Sequence, residues 1–202
     1  MYDAVLTDSR FYQFLVLVDE HLAEEMRRSG CRFCGAPLHS ARYVRRPRGL
    51  PAGVDPGPDF DVCFSFCCSA DGCRRRHRAP SVRFLGAKVY VSAMVALITA
   101  MRQGPTPRCA RQLKALFGVD RRTLAHWREW WERIFPRSRF WQRMRGFFPV
   151  QATEDVLPGL LIARCRGSTV LQKVVGMLRF LSQFGSVVDG RSPPAEDAHR
   201  GP

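Results

Sequence analysis

Lysine is nearly missing from this 202-residue chain: Lys88, Lys114 and Lys173 stand against 29 arginines. Long apolar runs are missing too. The most hydrophobic stretch, Val89 to Met101, has 13 residues, short of the about 20 that cross a bilayer, so it reads as a buried core helix. The first twenty residues have no basic segment followed by a small-residue cleavage site, and Asp8, Arg10, Gln13, Asp19 and Glu20 break up their apolar positions. Neither a secretory signal nor a membrane partner is expected from them. Catalytic signatures are lacking as well. There is no P-loop, His-x-Glu deaminase pattern, Gly-x-Ser-x-Gly elbow or His-hydrophobic-His nuclease pair, and no carboxylate set placed to converge on two Mg²⁺ ions. The chain is expected to be non-enzymatic.

Acidic residues are unevenly absent. From Gly72 to Val119 there is none, while ten cations fall there: Arg74, Arg75, Arg76, Arg78, Arg83, Lys88, Arg102, Arg108, Arg111 and Lys114. The net charge of +14 is therefore concentrated in the middle of the chain, where a solvated face would ordinarily interleave both signs. A polyanion is the partner this pattern suits, and arginine forks match phosphates and guanine edges. A GC-rich coding sequence would also favour arginine, so the placement of charge carries the argument rather than the ratio. With 46% apolar and 25% charged residues, the composition is that of a folded globular chain.

Eight cysteines without an export signal point to a reducing compartment, the cytoplasm, where clustered thiols bind metal more often than they pair. Cys31-Arg-Phe-Cys34-Gly forms one knuckle, and Cys67-Cys68-Ser-Ala-Asp-Gly-Cys73 a second. Tetrahedral Zn²⁺ takes four soft ligands, and two knuckles on separate turns supply two thiolates each. The expected set is Cys31, Cys34, Cys68 and Cys73, with Cys67 able to replace Cys68 and His77 or His39 as lesser alternatives. Gly35 and Gly72 stand where tight knuckles need a permissive backbone. Between the knuckles, the alternation of Phe60, Val62, Phe64 and Phe66 predicts a strand after a Pro/Gly-rich loop, which is the layout of a zinc ribbon.

Periodicity at three and four residues predicts helices over 9–29, 89–101, 106–117, 120–135, 156–165 and 169–184. The first carries Phe11, Phe14, Leu15, Val18, Leu22 and Met26 on one side, capped by Asp8 or Ser9. Thr106-Pro107 opens a short helix that stops at Gly118, and Asp120 caps the next, whose Leu124, Trp127 and Trp131 form an apolar stripe. This is a helix-turn-helix layout, in which the second helix enters the major groove. Its outward residues Arg122 and His126 are the candidate base contacts. Arg121 and Thr123 are candidates for phosphate or base edges, and Arg108, Arg111, Arg74, Arg75 and Arg76 for the DNA backbone. The four tryptophans, within 15 residues of one another, are expected in the core. Leu171, Val174, Val175, Leu178 and Leu181 form a last stripe that packs on the chain's own core or pairs two copies, and the tail from Gly185 reads as mobile.

Taken together, Cys31-Arg-Phe-Cys34-Gly, Phe66-Cys67-Cys68-Ser-Ala-Asp-Gly-Cys73-Arg-Arg-Arg, Pro80-Ser-Val-Arg-Phe-Leu-Gly86 and Phe117-Gly-Val-Asp-Arg-Arg-Thr-Leu-Ala-His-Trp127-Arg-Glu-Trp-Trp131 resemble small bacterial proteins found around transposable elements, with transposase-like zinc-ribbon and helix-turn-helix parts. The likeness covers roughly residues 10–184 and implies DNA binding near mobile elements. The resulting expectation is an α+β chain, mostly α. It comprises an N-terminal helix (1–30), a zinc ribbon (31–86), a helix-turn-helix domain (87–150), C-terminal helices (151–184) and a tail (185–202). Its expected partner is double-stranded DNA, with a homodimer or other mobile-element proteins as further partners, in the role of regulator or accessory factor. An RNA-binding zinc module and a protein-binding subunit of a nucleoprotein complex are the alternatives.

Overall fold

The computed structural model describes residues 3–85, 90–99, 111, 114–148 and 157–188. The chain is α+β and mostly α, with one small sheet. Helix α1 (Asp3–Leu6) leads into α2 (Ser9–Ser29), whose cap is Asp8, with Oδ1 accepting from the Arg10 amide. Phe11, Leu15, Val18 and Ala23 are buried at helical spacing. Phe14, expected beside them, is instead 42% exposed, and Tyr12 is buried with its hydroxyl donating to Leu6 O at 2.7 Å. That bond ties α1 to α2.

The sheet is antiparallel in the order β1 (Leu38–Val44), β2 (Val62–Cys68), β3 (Arg76–Arg78). Leu38 pairs with Cys68, Val44 with Val62, and Phe66 with His77. The second strand starts two residues later than its alternation suggests. Phe60 lies in the preceding turn and buries its ring edge-on against Tyr12, 5.7 Å between centroids. The third strand has no apolar alternation to announce it; of Arg-His-Arg only His77 points inward. One face of the sheet lies under the end of α2, where Ala23 and Met26 meet Leu38, Phe64, Phe66 and Cys68. The first half of α2 belongs to the larger helical core, so this one helix serves both.

Helix α3 (Ser92–Thr99) falls inside the apolar stretch, and Val91, Ala93, Met94 and Val95 are wholly buried. Helix α4 (Arg121–Glu129) runs into a π-turn over Trp130–Ile134, closed by the Phe135 amide on Trp130 O at 2.8 Å. The extra residue per turn rotates the inward stripe. Trp130 therefore joins Trp127, Trp131 and Phe135 in the core, and its ring stands edge-on to Trp131 at 4.7 Å. All four tryptophans are buried, as expected; Trp141 of α5 (Arg139–Met144) packs on Phe135 and Phe148. Helix α6 (Gly159–Arg164) and α7 (Val170–Val188) complete the fold. The buried stripe of α7 is Val174, Met177, Leu178 and Leu181, and it packs on the chain's own core; Leu171 is exposed. This helix continues four residues past Phe184, since one glycine costs a helix only about 1 kcal/mol relative to alanine. The expected mobile tail lies otherwise in 189–202, outside the described residues.

Arg83 is sealed in the interior. Its Nε donates to Asp19 Oδ2 at 2.7 Å, Nη1 to the carbonyls of Asp59 and Phe60, and Nη2 to Val62 O. Asp19 also accepts from Ser81 Oγ and the Val82 amide. The pair joins α2 to the loop entering β2, so Arg83 does not belong to the cationic surface that the sequence suggests.

Candidate metal centre and basic surface

Helix α2 ends at Gly30, with φ of +72°. A Cβ there would lie 2.9 Å from Gly35 O, so only glycine lets the chain fold back into the first knuckle. In that knuckle the Gly35 amide donates to Cys31 O and the Cys31 amide to Ala36 O. Gly35 takes φ of +74°. In the second knuckle the amides of Cys73 and Arg74 both donate to Ala70 O. The left-handed position there is Arg74, at φ of +46°, rather than Gly72.

These two turns bring the Sγ atoms of Cys31, Cys34, Cys68 and Cys73 within 4.8 Å of one another. Cys31 and Cys73 are 3.7 Å apart, and Cys34 and Cys68 3.4 Å. A disulfide requires about 2.05 Å, whereas the edge of a zinc–thiolate tetrahedron with 2.3 Å bonds is about 3.8 Å. The cluster has the size of a metal site, and four such thiols could hold an ion. Backbone amides of Phe33 and Cys34 donate toward Cys31, that of Ala70 toward Cys68, and that of Arg75 toward Cys73. Oriented amides of this kind steady thiolate ligands.

Electrostatics favours a cation at the centre. Burial alone pushes the Cys31 thiol up, but the Phe33 and Cys34 amides and the His77 imidazole outweigh it and hold the thiol down at about 6. Burial, with the neighbouring thiols, pushes Cys68 up to about 12 against the pull of the Ala70 amide. One thiolate forms readily and its neighbours resist joining it; a divalent ion removes that conflict.

Strand alternation separates the two adjacent cysteines. Cys68 faces the cluster, while Cys67 turns to the other side, its Sγ near the carbonyls of Arg74 and Cys68. His39 is exposed on β1, away from the site. His77 is buried, with Nε2 3.3 Å from Cys31 Sγ, so it partners a sulfur of the cluster. Cys165 lies far off in the chain at the end of α6, and Cys109 is outside the described residues.

The arginine run after the second knuckle divides three ways. Arg74 lies 3.8 Å from Asp71, Arg75 sits over the Phe33 ring at 4.2 Å, and Arg76 stands exposed on β3. Phe33 is 48% exposed at the knuckle tip, with Arg32 also near its ring. On the helical side, Gly118 has φ of +63° and the Asp120 carboxylate accepts from the Thr123 amide at 2.7 Å, giving the expected turn and cap. Arg121, Arg122 and His126 are exposed; Thr123 is half-buried and held to Asp120. Leu124 and Trp127 face inward. Arg111 is exposed and helical. Arg108, with most of the first expected helix over 106–117, is outside the described residues.

Compared with protein-family models, curated proteins and solved structures, the chain matches none.

Proposed function

We propose that the protein is a non-enzymatic, zinc-stabilised DNA-binding protein in which Cys31, Cys34, Cys68 and Cys73 hold one structural Zn²⁺ and α4 offers a basic face to duplex DNA. The carrying observation is the four-sulfur cluster of tetrahedral size. A site closed by four thiolates leaves no open position for a substrate, so the ion acts as a staple. The DNA reading is supported by the exposed Arg121, Arg122 and His126, opposite a stripe fixed by Leu124 and Trp127. The turn and cap before α4 fit the helix-turn-helix layout. A role as regulator or accessory factor of a mobile element rests on the motif resemblance, and the cytoplasm on the reduced thiols.

The test is fluorescence anisotropy of the full, zinc-loaded chain on duplex DNA and on single-stranded RNA of equal length. Duplex DNA should bind more tightly, with affinity falling steeply as salt rises. Preference for the RNA, or no binding to either, would overturn this reading.

A further inference from the structure

Between the last turn of α2 and the edge strand β3 lies an open groove of about 480 Å³, whose walls include Arg32, Arg76, Arg78, Ser29, Ser65 and Tyr43. No carboxylate lines it. Resting on the DNA-binding reading, we propose that this groove is a second contact surface of the protein, seating phosphates of the duplex backbone independently of sequence.

Two observations converge on it. Asp71 is beside Arg74, and Glu24 is engaged by Arg27 and Arg28 on the helix; neither Asp71 nor Glu24 lines the groove. Arg76 and Arg78 flank His77 on β3, and all three line the groove. The C-terminus of α2 opposes an anion with a partial charge of about −0.5, but Arg27 O is already engaged by the Gly30 amide and Glu25 O by Ser29 Oγ. Three full positive charges outweigh that fraction. The metal staple sits beside this groove: Arg32 lies between Cys31 and Cys34, and Arg76 three residues after Cys73. Metal-fixed knuckles thereby fix the spacing of the groove's cations.

Anisotropy titrations of the zinc-loaded full chain on two unrelated duplexes, over a range of salt, test the proposal. Arg76→Gln/Arg78→Gln should reduce the log–log salt slope by about 1.8, at about 0.9 per phosphate, and weaken both duplexes equally. Arg32→Gln should remove about 0.9 more, while Arg76→Lys/Arg78→Lys should restore the slope. Arg164→Gln/Arg166→Gln, which removes the same charge from the exposed end of α6, should leave the slope unchanged. Zinc content and melting of each variant confirm folding. An unchanged slope in the double glutamine variant, or an equal drop in the α6 control, overturns the groove while the DNA reading stands. A wild type that binds neither duplex overturns both.

Discussion

The Arg83 guanidinium and the Asp19 carboxylate meet at 2.7 Å with both side chains 1% exposed. Sixty-four positions separate them in sequence. One cation of the acid-free segment from Gly72 to Val119 is thus paired in space with an acid from α2, and this pair locks the helix to the loop before β2. A buried pair contributes little net stability over an apolar substitute, but breaking it leaves a charge uncompensated. Arg83→Met should cost about 3–5 kcal/mol by urea denaturation, and Asp19→Asn a similar amount. The double variant should cost less than the sum of the two. A single Arg83→Met variant that unfolds at the wild-type urea concentration would refute the locking role.

Adjacent cysteines give the sharpest test of the metal set. Cys68→Ser should remove zinc and unfold the ribbon, because the binding energy of such sites, about 10–16 kcal/mol, is folding energy. Cys67→Ser should keep one zinc per chain and the wild-type melting temperature, since its Sγ turns away from the cluster. Elemental analysis and thermal melting read both. Zinc retained in Cys68→Ser, or lost in Cys67→Ser, would reverse the assignment. Gly30→Ala should weaken zinc binding without touching a ligand, through the clash with Gly35 O.

Acid should act on the cap of α4. The Thr123 amide, then its hydroxyl, holds the Asp120 carboxyl below its ordinary value. A carboxyl depressed in the folded state contributes stability at pH above its unfolded value, about 3.9, and that contribution is lost as pH falls through the folded value. The stability difference between wild type and Asp120→Ala should therefore be level from pH 7 to about 4.5 and shrink below that. Exposure to solvent keeps the effect small. A difference that grows on acidification would contradict the capping geometry.

What the sequence displays and what it conceals divide by range. Caps at Asp8 and Asp120, the turn at Gly118 and the two knuckles are set by a few neighbouring residues, and each is where its spacing places it. The π-turn at Trp130 is invisible to a 3.6-residue period because it is produced by packing of Trp130, Trp131 and Phe135 into one core. Arg83 looks like its surface neighbours until α2 brings Asp19 to it. The run Arg74-Arg75-Arg76 reads as one basic patch, yet Asp71, the Phe33 ring and the groove each take one member. Choosing between Cys67 and Cys68 needed only the strand's register, which depends on where β2 begins.

Sequence-specific reading by α4 differs from general adhesion in a measurable way. Arg122 and His126 lie one turn apart and exposed, on the side of α4 opposite Leu124 and Trp127. In a helix-turn-helix such residues meet base edges, and a bidentate arginine on guanine contributes about 1–3 kcal/mol of discrimination. Arg122→Ala should relax the preferred site at one or two base pairs and leave non-specific affinity nearly intact, because the phosphate contacts remain. Its melting temperature should hardly change, since the side chain is exposed. Trp127→Ala is the contrast: it removes a buried ring packed edge-on to Tyr90 at 5.1 Å, should cost about 3–5 kcal/mol, and should abolish specific binding by α4. Selection from a random duplex pool, run on wild type and each variant, reads the outcome. A wild type that yields no consensus, or one unchanged in both Arg122→Ala and His126→Ala, would show that this helix does not read the bases.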